Sequence, residues 1–137
     1  MRQIALLSML LMAVGCASTA TSPAMRQHCE DRYDEVWTAA RTAVMRLGGQ
    51  VIDASRSAGS ILGRLELDGF GAAVDLHIQL SRIPDHQPGT QQPVTVTIRA
   101  TEAAGREPDP TRANELRSLE ERYLRLVGER ASCGGPG

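Results

Sequence analysis

The stretch Ala72-Ala73-Val74-Asp75-Leu76-His77-Ile78-Gln79-Leu80-Ser81-Arg82-Ile83 decides the fold. Val74, Leu76, Ile78 and Leu80 alternate with Asp75, His77, Gln79 and Ser81. A period of two makes this a strand with one apolar and one polar face. Such clean alternation belongs to an antiparallel sheet that is packed on one side and wet on the other. Downstream, Val94, Val96, Ile98 and Ala100 alternate with Thr95, Thr97, Arg99 and Thr101 in the same way. Upstream, Ile61, Leu65 and Leu67 alternate with Leu62, Arg64 and Glu66, and Gln50 to Ala54 forms a shorter strand. Punctuation separates the strands: the serine-bearing stretch Ser55 to Ser60, the pair Asp68-Gly69, and a polar loop from Pro84 to Pro93.

A helix flanks the strands at each end. Tyr33, Val36, Trp37, Ala40, Val44 and Leu47 fall on one helical face, with Asp31 or Asp34 placed to cap the start and Gly48-Gly49 to stop it. Asp109-Pro110 opens the second helix, Leu116, Leu119, Tyr123, Leu126 and Val127 give its stripe, and Gly128 is placed to end it. Glu121 and Arg125 are spaced for a surface ion pair. One sheet face and two apolar stripes cover each other most simply when both helices lie on the same side. The expected fold is therefore α+β: a two-layer αββββα arrangement with an antiparallel meander sheet and two helices on one face.

The chain has 137 residues, enough for one domain. All 15 basic residues are Arg, set against 16 acidic ones, for a formal net charge of −1. Such a near-neutral balance speaks against a nucleic-acid binder, which carries a basic stripe.

Residues 1–15 read as an export signal: Arg2, an apolar run from Ile4 to Val14, then Gly15. The run is too short to span a bilayer, which takes about 20 apolar residues. Ala13-Val14-Gly15-Cys16 resembles the bacterial lipobox, although Ala13 stands where Leu is usual. That resemblance implies a lipidated Cys16 as the first mature residue. Ala17 follows rather than the Asp of inner-membrane retention, so the resemblance places the protein at the outer membrane, facing the periplasm. Residues 16–30 then form the lipidated cysteine and a tether, 31–133 the single domain, and 134–137 a disordered tail.

With Cys16 committed to lipid, Cys29 and Cys133 remain of the three cysteines. They flank the expected domain, and an oxidising compartment favours their pairing over two unrelated thiols.

Candidates for chemistry are few. Asp75 and His77 share a strand face and supply two ligands, where a zinc site takes three or four. The plainer reading is two polar residues on a wet face. No Gly-x-Ser-x-Gly elbow is present. Trp37 belongs to the apolar helical stripe and reads as core. Phe70, between Gly69 and Gly71 at a hairpin tip, suits either a partner contact or a fold-back into the core. No cofactor or metal is expected.

The string Tyr33-Asp34-Glu35-Val36-Trp37-Thr38-Ala39-Ala40, then Leu47-Gly48-Gly49, Asp53 and Gly59-Ser60-Ile61, resembles a group of small, mostly uncharacterised bacterial lipoproteins. The same cadence is more distantly similar to the domains of BamC, an accessory lipoprotein of outer-membrane β-barrel assembly. The likeness covers about residues 31–100 and rests on core and turn positions, so it implies fold and compartment and hands over no catalytic residue.

The expectation is a non-enzymatic lipoprotein anchored in the membrane by its lipid, binding an envelope protein partner and no nucleic acid. Candidate partner contacts are Asp75, His77, Gln79, Thr95, Thr97 and Arg99 on the wet sheet face, together with Phe70. The competing expectations are a small metal-dependent or hydrolytic enzyme using Asp75 and His77, and a purely structural envelope protein.

Overall fold

The computed structural model describes residues 24–66, 73–82, 93–103 and 110–134. Within them lie five strands and two helices: β1 (Met25–Cys29), α1 (Tyr33–Arg46), β2 (Gln50–Ser55), β3 (Ser60–Glu66), β4 (Ala73–Arg82), β5 (Val94–Glu102) and α2 (Pro110–Arg130). The strands form one sheet in the order β1-β5-β4-β3-β2, with every neighbouring pair antiparallel. β2 to β5 make the expected meander, and the helices pack on one face of it.

The alternation seen in the sequence sets the two faces. Val74, Leu76, Ile78 and Leu80 of β4 are buried with Val94, Val96, Ile98 and Ala100 of β5 beneath the helices. α1 contributes Val36, Trp37, Ala39, Ala40, Ala43 and Val44 to this core. Its alanines bring the helix close to the sheet, and Gly63 permits the closest approach: a Cβ there would lie 2.8 Å from Val44 Cγ1. α2 adds Leu116, Leu119, Tyr123, Leu124 and Val127. The fully buried Tyr123 donates its hydroxyl to the carbonyl of Ala40 at 3.0 Å, which pins one helix to the other. Burial pushes the Tyr123 phenol far above its ordinary pKa, because the phenolate has no water there.

β1 is the main correction. Residues 25–29 fall inside the segment expected to be a tether, yet they pair with β5 from Met25–Ile98 to Cys29–Val94. Gln27 occupies a core-facing position and hides the alternation. It is buried because its amide donates to the carbonyl of Gly134 at 2.8 Å.

Cys29 and Cys133 are joined, with an S–S distance of 2.05 Å and Cα atoms 3.9 Å apart. They face each other in an antiparallel bridge flanked by Glu30 N–H to Ser132 C=O and Gly134 N–H to His28 C=O, both 2.9 Å. This is the non-hydrogen-bonded kind of pair, which brings Cα atoms closest. Gly134, placed in a disordered tail by the sequence, is thus the outer neighbour of β1.

Helix ends differ from expectation in three ways. α1 begins after Arg32 with no side-chain cap. Asp31 turns instead to the other end of the chain, accepting the Ser132 N–H at 2.6 Å, and Asp34 pairs with Arg56. α2 continues through Gly128 to Arg130, since a single glycine inside a packed helix weakens it without ending it. Glu121 and Arg125 do not pair; the ion pair near that end of α2 is Arg46–Glu129 at 2.8 Å.

The signal segment with Cys16, Phe70 with its hairpin tip, the loop at 84–92, and Asp109 lie outside the described residues.

Candidate functional site

Strand register assembles the six wet-face candidates into one surface. Thr95 faces Ser81, Thr97 faces Gln79, Arg99 faces His77, and Thr101 faces Asp75 across the β4–β5 pair. All project from the side opposite the helices. β1 extends two of these rows, with His28 opposite Thr95 and Arg26 opposite Thr97. β3 extends three rows on the other side, with Ser60 opposite Gln79, Leu62 opposite His77 and Arg64 opposite Asp75. Sequence reading missed Arg26 and His28, because the one signal for them was the two-residue period of β1.

Several of these side chains are already engaged with one another. Arg64 grips Asp75 side-on, Nε to Oδ1 at 2.9 Å and Nη2 to Oδ2 at 3.4 Å. That contact raises the pKa of Arg64, first through the hydrogen bond and then through the carboxylate charge. His77 Nε2 lies 3.2 Å from Thr101 Oγ1, and His28 Nδ1 lies 3.0 Å from Thr95 Oγ1. Gln79 donates to the carbonyl of Ala58 at 2.8 Å and so ties the face to the β2–β3 turn. Asp75 and His77 share a face but hold different partners. Among the described residues, no group of three or more His, Cys, Asp or Glu is placed to hold a metal.

A cleft of about 690 Å³ lies at one end of the sheet, between the first turn of α1, the β2–β3 turn and the end of β4. Gly59 shapes its wall. Its φ is +71°, and a Cβ there would meet the Leu80 carbonyl at 2.2 Å, so the turn needs glycine at this position. The Tyr33 hydroxyl donates to the Arg56 carbonyl at 2.8 Å. The Tyr33 ring stacks on Trp37, centroids 6.4 Å apart, and the Arg82 guanidinium lies 4.8 Å above Tyr33. The resemblance motif drew attention to Tyr33 and Trp37, but the pattern gave no sign that Arg82 and Arg56 would join them.

No protein-family model matches this chain, and no curated protein resembles it closely enough to count as a relative.

Proposed function

We propose that this protein is a lipid-anchored, non-enzymatic accessory protein of the bacterial envelope that binds a protein partner through its open sheet face. One observation carries the reading: β4 and β5, flanked by Arg26 and His28 of β1 and Arg64 of β3, align polar side chains on one surface while both helices pack on the other side. A sheet uncovered on one face offers a broad, preformed platform whose polar side chains are aligned in rows by register. The reading takes Cys16 as the lipid attachment point, with export and outer-membrane residence following from the signal and lipobox. With β1 starting at Met25, eight residues (17–24) would separate Cys16 from the sheet, a reach of at most about 28 Å.

Affinity capture of the tagged chain from cells cross-linked in place tests this reading. A stoichiometric envelope partner should be recovered, weakened in Cys16→Ser and lost when Thr97 and Arg99 are both changed to Ala. Undiminished recovery of every partner by the Thr97/Arg99 variant would remove the sheet face from the proposal.

A further inference from the structure

We propose that the cleft between α1, the β2–β3 turn and β4 captures the C-terminal carboxylate of a partner polypeptide, with Arg82 as the receiving group. The inference rests on the partner-binding reading and gives it a second, chemically defined contact.

Arg82 is held in an unusual way for a surface arginine. Its guanidinium lies over the Tyr33 ring, which is itself fixed by Trp37 on one side and by its hydroxyl bond to Arg56. A cation–π contact holds a guanidinium by its charge and takes none of its N–H donors, which keep their planar fork. Among the described residues, no carboxylate takes those donors, whereas Arg56 across the cleft pairs with Asp34. The residues lining the cleft include no acid. Among the described residues, then, no anion answers the Arg82 charge, and a singly charged guest matches it. A carboxylate is planar and accepts two parallel N–H bonds from such a fork.

The dimensions favour a chain end over a bare ion. A space of about 690 Å³ admits several residues' worth of atoms. Its rim carries the Ser57 hydroxyl and turn backbone, the kind of polar frame that chain-terminus recognition uses.

Trp37 is the only tryptophan and stacks against Tyr33, the ring that holds Arg82, so its fluorescence reports on the cleft. The full chain in detergent would be titrated with N-acetyl-glycyl-glycyl-alanine, N-acetylalanine and N-acetylalaninamide. The expected result is a saturable change with the tripeptide acid, weaker binding of N-acetylalanine, and no response to the uncharged amide. Arg82→Gln should weaken the tripeptide by about tenfold or more, the usual effect of deleting a charge-assisted bond. Arg82→Lys keeps the charge but not the fork and should fall between. Equal responses to acid and amide, no saturable response, or wild-type affinity in Arg82→Gln would each overturn the proposal. Equal affinity for N-acetylalanine and the tripeptide would also overturn it, in favour of a small free acid. In the cell, partner capture lost with the Thr97/Arg99 variant but intact in Arg82→Gln would sink the cleft and leave the sheet-face reading standing.

Discussion

The Glu120 carboxylate accepts the backbone N–H of Ala100 at 3.0 Å, just past the described β1–β5 pairing. β1 accompanies β5 only as far as the Met25–Ile98 pair. The Ala100 N–H needs an acceptor, and a glutamate on α2 supplies it, buried as it does so.

That burial has a pH signature. Desolvation raises the Glu120 pKa above 4.5, opposed by the Ala100 hydrogen bond and the charges of Arg117 and Arg99. A carboxyl with a raised folded-state pKa stabilises the fold fully below its unfolded value, and that contribution is lost as pH rises through the folded value. Glu120→Gln keeps an acceptor for Ala100 and removes the titration. Its melting temperature should therefore gain on wild type between pH 4 and pH 7, and a constant difference would exclude the effect. Glu120→Ala strands the Ala100 N–H and should cost about 1–3 kcal/mol in urea unfolding.

Loss of the Cys29–Cys133 bond should be the most damaging of the covalent changes. It spans 104 positions, a loop for which chain entropy alone gives about 4.7 kcal/mol. Cys133→Ser should lower the melting temperature markedly. Amide exchange should also quicken first at Glu30 and Gly134, whose N–H groups bond across that junction. Unchanged protection there would show that the bond adds nothing to the junction.

Tyr123→Phe removes the single hydroxyl that crosses from α2 to α1. The Ala40 carbonyl is also positioned for its own helical bond, so the loss should be about 1 kcal/mol in denaturant unfolding. Of the two tyrosines, Tyr123 should give no tyrosinate absorbance at high pH while the fold persists. Tyrosinate formed by Tyr123 before unfolding, read in a Tyr33→Phe background, would contradict its burial.

Gly59→Ala meets both a positive φ and the Leu80 carbonyl, and neither can move aside cheaply. A destabilisation of about 2 kcal/mol or more is expected, larger than for Gly128→Ala. At Gly128 the obstacle is the Gln27 amide nitrogen, 3.3 Å away, which need give only a few tenths of an ångström, and alanine gains about 1 kcal/mol in helix propensity. Parallel thermal melts of the two variants decide the point.

Periodicity carried most of the architecture, because β4, β5 and α1 each bury one uninterrupted apolar face. It failed where a buried position is polar. Gln27 sits in the core only because Gly134, 107 residues away, accepts its amide, and no local pattern encodes that. The same holds for Asp31, whose capping role at α1 is displaced by Ser132. On the sheet face, alternation identified Asp75, His77 and Arg99. The Arg64 grip on Asp75 became visible only with the β3–β4 register. The Arg82–Tyr33 stack joins the end of β4 to the start of α1, a meeting that the helix-to-sheet packing creates.

β1 also gives the domain a direction. Cys29 pairs with Val94 and Val94 with Arg82, so the strand runs from mid-sheet toward the end that holds the cleft. Its last residue, Cys29, is bonded to Cys133, so the row that ends in Arg82 starts at the disulfide. The first and last described segments of the chain are moored together in line with the cleft.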